Sequence, residues 1–147
     1  MIEYIKNKIR YNFYRRKYNI DKSVRFNGDN TYLLGSGSIT IGKESYIGRN
    51  SQIYAEKDCG VVIGSKVSIS HNVFIYTTSK NPKDRNKQIL GNVVIGNNVW
   101  VGVGVVITQN VTIGDNCIIG ANSVVTKDIL PNSTVKPLMI TRTYYEN

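Results

Sequence analysis

From Ile95 onward a β-branched aliphatic returns at every sixth position: Ile95, Val101, Ile107, Ile113, Ile119 and Val125. The same step recurs upstream as Ile41, Ile47, Ile53 and again as Ile63, Ile69, Ile75, which makes twelve hexapeptides. Ile and Val supply 35 of 147 residues, so six successive hits in a chosen frame would arise by chance only about once in 5,000. Glycine follows the aliphatic in seven units, at Gly42, Gly48, Gly64, Gly96, Gly102, Gly114 and Gly120. A small or β-branched residue stands two places before it, from Ile39 and Ser45 to Cys117 and Ser123.

A period of six fits neither a 3.6-residue helix nor a simple hairpin array. It fits a short strand followed by a corner, with three such units closing a triangular coil. The aliphatic points inward and stacks on its equivalents in the coils on either side, a setting that suits β-branched side chains. Twelve units give about four coils, a quasi-one-dimensional core over residues 39–130. The frame breaks twice. Residues 54–60 shift it by four, and residues 77–91 (TTSKNPKDRNKQILG) read as an excursion loop leaving the coil.

The flanks differ from the repeat. Residues 2–18 read as a helix, because Ile2, Ile5, Ile9 and Phe13 recur at steps of three or four among Lys and Arg. Residues 19–38 are rich in Gly, Asn and Ser and are expected to form an irregular lead-in. Residues 131–147 leave the six-residue frame and are expected to be an extended or short helical tail. The charge is uneven as well: residues 1–27 carry +6 of the net +9. A basic segment on a nearly neutral body suggests an anionic partner for the segment. It fits either a contact with an anionic membrane surface or a cap across the open end of the stack, and capping is the favoured expectation. The charge would also permit nucleic acid, but the tyrosines of residues 4–18 follow helical spacing and show no base-stacking platform.

Composition narrows the class. A chain of 147 residues with 41% hydrophobic and 20% charged residues is expected to fold as a single globular domain. No run of about 18 apolar residues is present, and the first eight residues lack a secretory apolar core. Two cysteines, Cys59 and Cys117, match neither a disulfide scaffold nor a zinc module, so a reducing cytoplasm is expected, extending to the inner membrane face if the basic segment binds there.

The run Ile95-Gly96-Asn97-Asn98-Val99-Trp100-Val101-Gly102, the run Ser123-Val124-Val125-Thr126-Lys127-Asp128-Ile129 and the hexapeptide period together resemble the left-handed β-helix acyltransferases. The nearest branch is the sugar O-acetyltransferases of the maltose, galactoside, O-antigen and capsule types. The resemblance covers residues 39–137, and the left hand comes from it alone. It implies a homotrimer with an active site between neighbouring prisms. It implies acetyl-coenzyme A along the outside of the coils, and a histidine that takes the proton of an acceptor hydroxyl or amine. No covalent intermediate is implied.

His71 is the only histidine. Two places after the inward Ile69, it is expected to face outward just before the excursion. Imidazole suits general-base work at neutral pH, though a surface or interface histidine without such a role fits the same position. The maltose branch places its histidine early in the excursion, where this chain has Lys80. A branch that N-acetylates nucleotide-linked amino sugars carries its histidine within the repeat, in the phase of His71. Lys80 would serve as a base only if burial lowered its pKa strongly.

Gly102 and Gly104 flank Val103 after Trp100, and glycine lets a ligand approach the main chain. The resemblance implies coenzyme contact here, with an N–H placed to bond the thioester oxygen; corner glycines of the repeat are the structural alternative. Trp100, the sole tryptophan, is expected outward, covering either a ligand or a neighbouring copy. Ala121, Thr126 and Lys127 match family positions that hold pantetheine and nucleotide, and Arg142 falls on a family arginine near the 3′-phosphate. The zinc site of carbonic anhydrases on this fold needs three histidines, so no metal is expected. The expected function is acetyl transfer from acetyl-coenzyme A to a sugar hydroxyl in surface-polysaccharide synthesis. The alternatives are N-acetylation of a nucleotide-linked amino sugar and, from another class, a non-catalytic trimeric scaffold.

Overall fold

In the computed structural model, residues 1–137 are described. One helix, α1 (Ile2–Lys17), precedes a three-sided parallel β-helix. The first coil is β1 (Asn19–Ile20), β2 (Arg25–Asn27) and β3 (Tyr32–Leu34). The second is β4 (Ser38–Ile41), β5 (Tyr46–Gly48) and β6 (Gln52–Tyr54), and the third β7 (Gly60–Ile63), β8 (Ser68–Ile69) and β9 (Phe74–Tyr76). A hairpin, β10 (Thr78–Asn81) and β11 (Asp84–Leu90), then leaves the column. The fourth coil is β12 (Val93–Ile95), β13 (Trp100–Val101) and β14 (Val106–Ile107); the fifth is β15 (Val111–Ile113), β16 (Ile118–Ile119) and β17 (Val124–Val125). A further strand, β18 (Thr134–Val135), pairs with β16.

The three sides are sheets ordered β1-β4-β7-β12-β15, β2-β5-β8-β13-β16-β18 and β3-β6-β9-β14-β17. The register sets repeat on repeat: Val101 pairs with Ile69 and Ile119, and Ile107 with Ile75 and Val125. All of these inward aliphatics are 0–3% exposed. The core is therefore a stack of β-branched side chains that never reaches water, as the six-residue period predicts.

The column has five coils rather than about four. The additional one is built from residues 19–34, in the stretch expected to be an irregular lead-in. Its inward slots hold Ile20, Phe26 and Leu33, in register with Ile41, Ile47 and Ile53. The step from Phe26 to Leu33 is seven residues, and one slot is aromatic, so the period fades although the geometry continues. The excursion expected at residues 77–91 is an antiparallel hairpin, tied to the column by Gln109 Nε2 donating to Ser79 Oγ at 2.9 Å.

The corners explain the asparagines. Asn30, Asn50, Asn72 and Asn122 occupy one column of corners at φ between 55° and 60°, and Asn98, Asn116 and Asn132 another at 58° to 61°. Asparagine tolerates this left-handed conformation better than most residues. In the second column the amides also bond in a ladder, Asn98 Nδ2 to Asn116 Oδ1 at 3.1 Å and Asn116 Nδ2 to Asn132 Oδ1 at 3.0 Å.

Helix α1 lies on the first coil, consistent with the favoured capping role. Its inward stripe is Asn7, Tyr11, Tyr14 and Tyr18. Tyr14 and Tyr18 join the core of Ile20, Val24 and Leu33, and Tyr11 stacks on Phe26 with ring centroids 4.6 Å apart. Asn7 bonds Asp29, and Arg15 Nη2 donates to the carbonyl of Val24 at 2.6 Å. The Ile2-Ile5-Ile9-Phe13 stripe that signalled the helix faces the opposite way and is exposed.

Candidate active site

His71 stands in the corner between β8 and β9. The register stacks four residues there, one per coil: Arg49, His71, Val103 and Ala121. Main-chain bonds fix the stack, from Asn72 N–H to the Arg49 carbonyl at 3.1 Å, Gly104 N–H to the His71 carbonyl at 3.1 Å and Asn122 N–H to the Val103 carbonyl at 2.8 Å. The structure therefore gathers His71, Gly102, Val103, Gly104 and Ala121 at one edge of the prism. Arg49 belongs to the same edge and escaped the sequence reading. Its signal was available, because it follows Ile47 by two places as His71 follows Ile69.

The imidazole is half-buried against Gly48. A Cβ on Gly48 would come within 2.7 Å of His71 Nδ1, so only glycine leaves room for the ring. Nδ1 itself is buried and has no partner among the described residues, an arrangement that costs about 1–3 kcal/mol for a neutral polar group. Among the described residues, packing rather than an orienting carboxylate holds the ring. Nε2 is the nitrogen left for a substrate.

The glycine run has a sharper geometry than its composition suggested. The N–H groups of Gly102 and Gly104 are already used, donating to the carbonyls of Ile119 at 2.8 Å and His71 at 3.1 Å. The N–H groups of Val103 and Ala121 make no hydrogen bond among the described residues. A main-chain donor to a bound ligand at this edge is therefore not a glycine N–H; Arg49 and His71, like Val103 and Ala121, have an N–H that makes no hydrogen bond among the described residues. Gly104 takes the corner position held by asparagine in four other coils, at φ 72°. A Cβ there would lie 2.3 Å from Asn122 Oδ1.

Trp100 is 47% exposed on β13, beside Ser68 and Ile118 of the adjacent coils. Thr126 and Lys127 are exposed and lie after β17, at the next corner rather than beside His71. Lys80 is exposed within the hairpin and pairs across it with Gln88, so the structure does not supply the burial that a lysine base would need. Arg142 lies outside the described residues. Two of the chain's cavities, of about 520 and 560 Å³, lie beside α1 and are lined in part by Tyr11, Arg15, Phe26 and Asn27. Neither touches His71.

Comparison with known proteins places this architecture. The family model described as bacterial transferase hexapeptide (six repeats) matches residues 92–127, and the one described as hexapeptide repeat of succinyl-transferase matches residues 38–77. A maltose O-acetyltransferase from Clostridium difficile 630 is 33% identical with a TM-score of 0.65, over 86% of this chain and 69% of that one. A hexapeptide-repeat acetyltransferase from Vibrio cholerae O1 biovar eltor, solved with acetyl-coenzyme A, is 27% identical with a TM-score of 0.72, over 87% of this chain and 71% of that one. AntD, an N-acyltransferase from Bacillus cereus solved with dTDP and 3-hydroxybutyryl-CoA, shares the fold at 23% identity and a TM-score of 0.61, over 79% and 70% of the two chains. No curated protein matches the chain by sequence. On the hexapeptide frame, the five-coil column and these relatives, the chain belongs to the hexapeptide-repeat family of acyltransferases and is an acetyltransferase of that family.

Proposed function

We propose that this acetyltransferase moves the acetyl group of acetyl-coenzyme A to a hydroxyl of a sugar acceptor in surface-polysaccharide synthesis, with His71 as general base. The observation that carries the proposal is the shared edge: His71, the only histidine of the chain, stands at the same corner as Val103 one coil away, and the Val103 N–H makes no hydrogen bond among the described residues. In this reading the acceptor hydroxyl attacks the thioester carbonyl while Nε2 of His71 takes its proton, which requires that Nδ1 carry the ring proton. The developing oxyanion is met by the N–H of Val103. The carbon–sulfur bond then breaks, the departing thiolate takes the proton back from Nε2 and leaves as coenzyme A thiol, and the acetyl group stays on the acceptor oxygen.

The donor lies along the edge past Ala121, with Trp100 against it and Thr126 and Lys127 toward its nucleotide end. Lys127 meets phosphate as a point charge, and Arg142 takes the 3′-phosphate. A homotrimer completes the groove, since a site between chains is only half-walled on one copy. The second reading is N-acetylation of an amino sugar, favoured by the place of His71 within the repeat rather than in the hairpin. A panel of sugar hydroxyl and amino acceptors, read by thiol release, separates the two. Saturable binding of acetyl-coenzyme A in calorimetry is expected, and its absence would favour a non-catalytic scaffold.

A further inference from the structure

Helix α1 has two apolar faces, and the column uses only one. At 100° per residue, Asn7, Tyr11, Tyr14 and Tyr18 form the stripe that lies on the first coil. Ile5, Ile9 and Phe13 fall on the opposite side and are 50%, 65% and 57% exposed; Ile2, on the same stripe, is 72% exposed. The inward stripe is stitched to the first coil by Asn7, Tyr11, Arg15 and Lys17, so the outward stripe does not turn inward without breaking those bonds.

The charges of α1 are predominantly of one sign. Six Lys or Arg residues against one Glu give α1 a net charge of +5. Arg15 and Lys17 are spent on main-chain carbonyls, and Arg10 lies over the Tyr32 ring at 4.8 Å. Lys6, Lys8 and Arg16 are exposed; on the wheel Arg16 falls between Ile5 and Ile9, Lys6 borders the stripe beside Phe13, and Lys8 is set further to its other side. Of these three cations only Lys6 has a carboxylate partner among the described residues, Glu3 at 3.9 Å. Three apolar anchors in one line with exposed cations around them match the interfacial geometry of a helix lying on an anionic bilayer. A second copy of α1 on this face would set +5 against +5, which disfavours a dimer of helices.

We propose that the outward face of α1 docks on an anionic lipid bilayer, with Ile5, Ile9 and Phe13 at headgroup depth and Lys6, Lys8 and Arg16 toward the lipid phosphates. This end of the column then faces the membrane and the coils stand away from it. The inference is independent of the acetyl-transfer chemistry, because α1 contributes no residue to the His71 edge.

The test is sedimentation of the full chain with vesicles of phosphatidylcholine alone or with about one third phosphatidylglycerol, at low and at near-physiological salt. The wild-type chain is expected to pellet with the anionic vesicles, less so as salt rises, and to stay in solution with the neutral ones. The triple variant I5S/I9S/F13S and, separately, K6Q/K8Q/R16Q should each lower the bound fraction at least about tenfold. All six positions are solvent-facing, so circular dichroism should show wild-type folding in both variants. Failure of the wild type to bind anionic vesicles would overturn the proposal, as would equal binding to neutral vesicles or unchanged binding by the variants. Light scattering supplies the remaining arm: a smaller assembly for I5S/I9S/F13S than for the wild type would make this face a contact between copies and would equally overturn it.

Discussion

The N–H of Gly104 donates to the carbonyl of His71 across 3.1 Å, which ties the imidazole's own main chain to the one corner of its column that lacks an asparagine. Asparagine fills that corner in the coils before and after, so Gly104→Asn is expected to fold, with the new side chain displacing Asn122 and entering the edge beside His71. Turnover should fall at least about tenfold, with little change in melting temperature. Gly104→Val should instead destabilise the chain, because a β-branched residue is strained at φ 72°. Thermal melts and acetyl-transfer rates on both variants check this pair.

Ile107 is fully buried between Ile75 and Val125 in the stacked core. Ile107→Ala should cost about 2–5 kcal/mol, the usual range for a large-to-small change in a core that cannot collapse. Val at the same place should cost about 0.5–1.5 kcal/mol. Urea unfolding measures both, and equal effects would contradict the stacking account.

The corner asparagines separate two contributions. Asn116 holds φ 58° and bonds both Asn98 and Asn132. Asn116→Gly keeps the left-handed turn and loses only the ladder bonds. Asn116→Ala loses both and should be the worse of the two by about 1–2 kcal/mol. Equal losses in the two variants would mean that the ladder, not the backbone, dominates.

Burial pushes the Tyr14 phenol above the ordinary tyrosine value of 10.0. A raised phenol contributes stability that is in place below the ordinary value and is lost as pH climbs through the folded one. The seating of α1 should therefore weaken in strong alkali, and Tyr14→Phe, which cannot ionise, should reduce that loss. Far-UV circular dichroism against pH on the two proteins reads it; identical alkaline transitions would contradict it.

Much of this was legible in the chain because the β-helix is periodic. Val101, Ile107 and Ile113 announce the column, since each inward slot repeats the same contact. The first coil was not legible, because Phe26 and Leu33 keep the register while breaking the spacing with one extra residue. The helix was legible, but its orientation was not. Tyr14 and Tyr18 proved better partners for the end of the column than the isoleucines, and a face is chosen by what it meets rather than by its own hydropathy. At the site, His71 and the glycine run stood out as residue types. The stacking of Arg49 on His71, and the spent N–H groups of Gly102 and Gly104, emerge only once the coils are in register.

The most direct test is His71→Ala, assayed for acetyl transfer with acetyl-coenzyme A binding measured by calorimetry on the same preparation. Turnover should fall at least about 10²-fold, as expected for loss of a general base, while donor affinity stays within about twofold. Wild-type turnover in the variant would contradict the assignment of the imidazole as the proton acceptor.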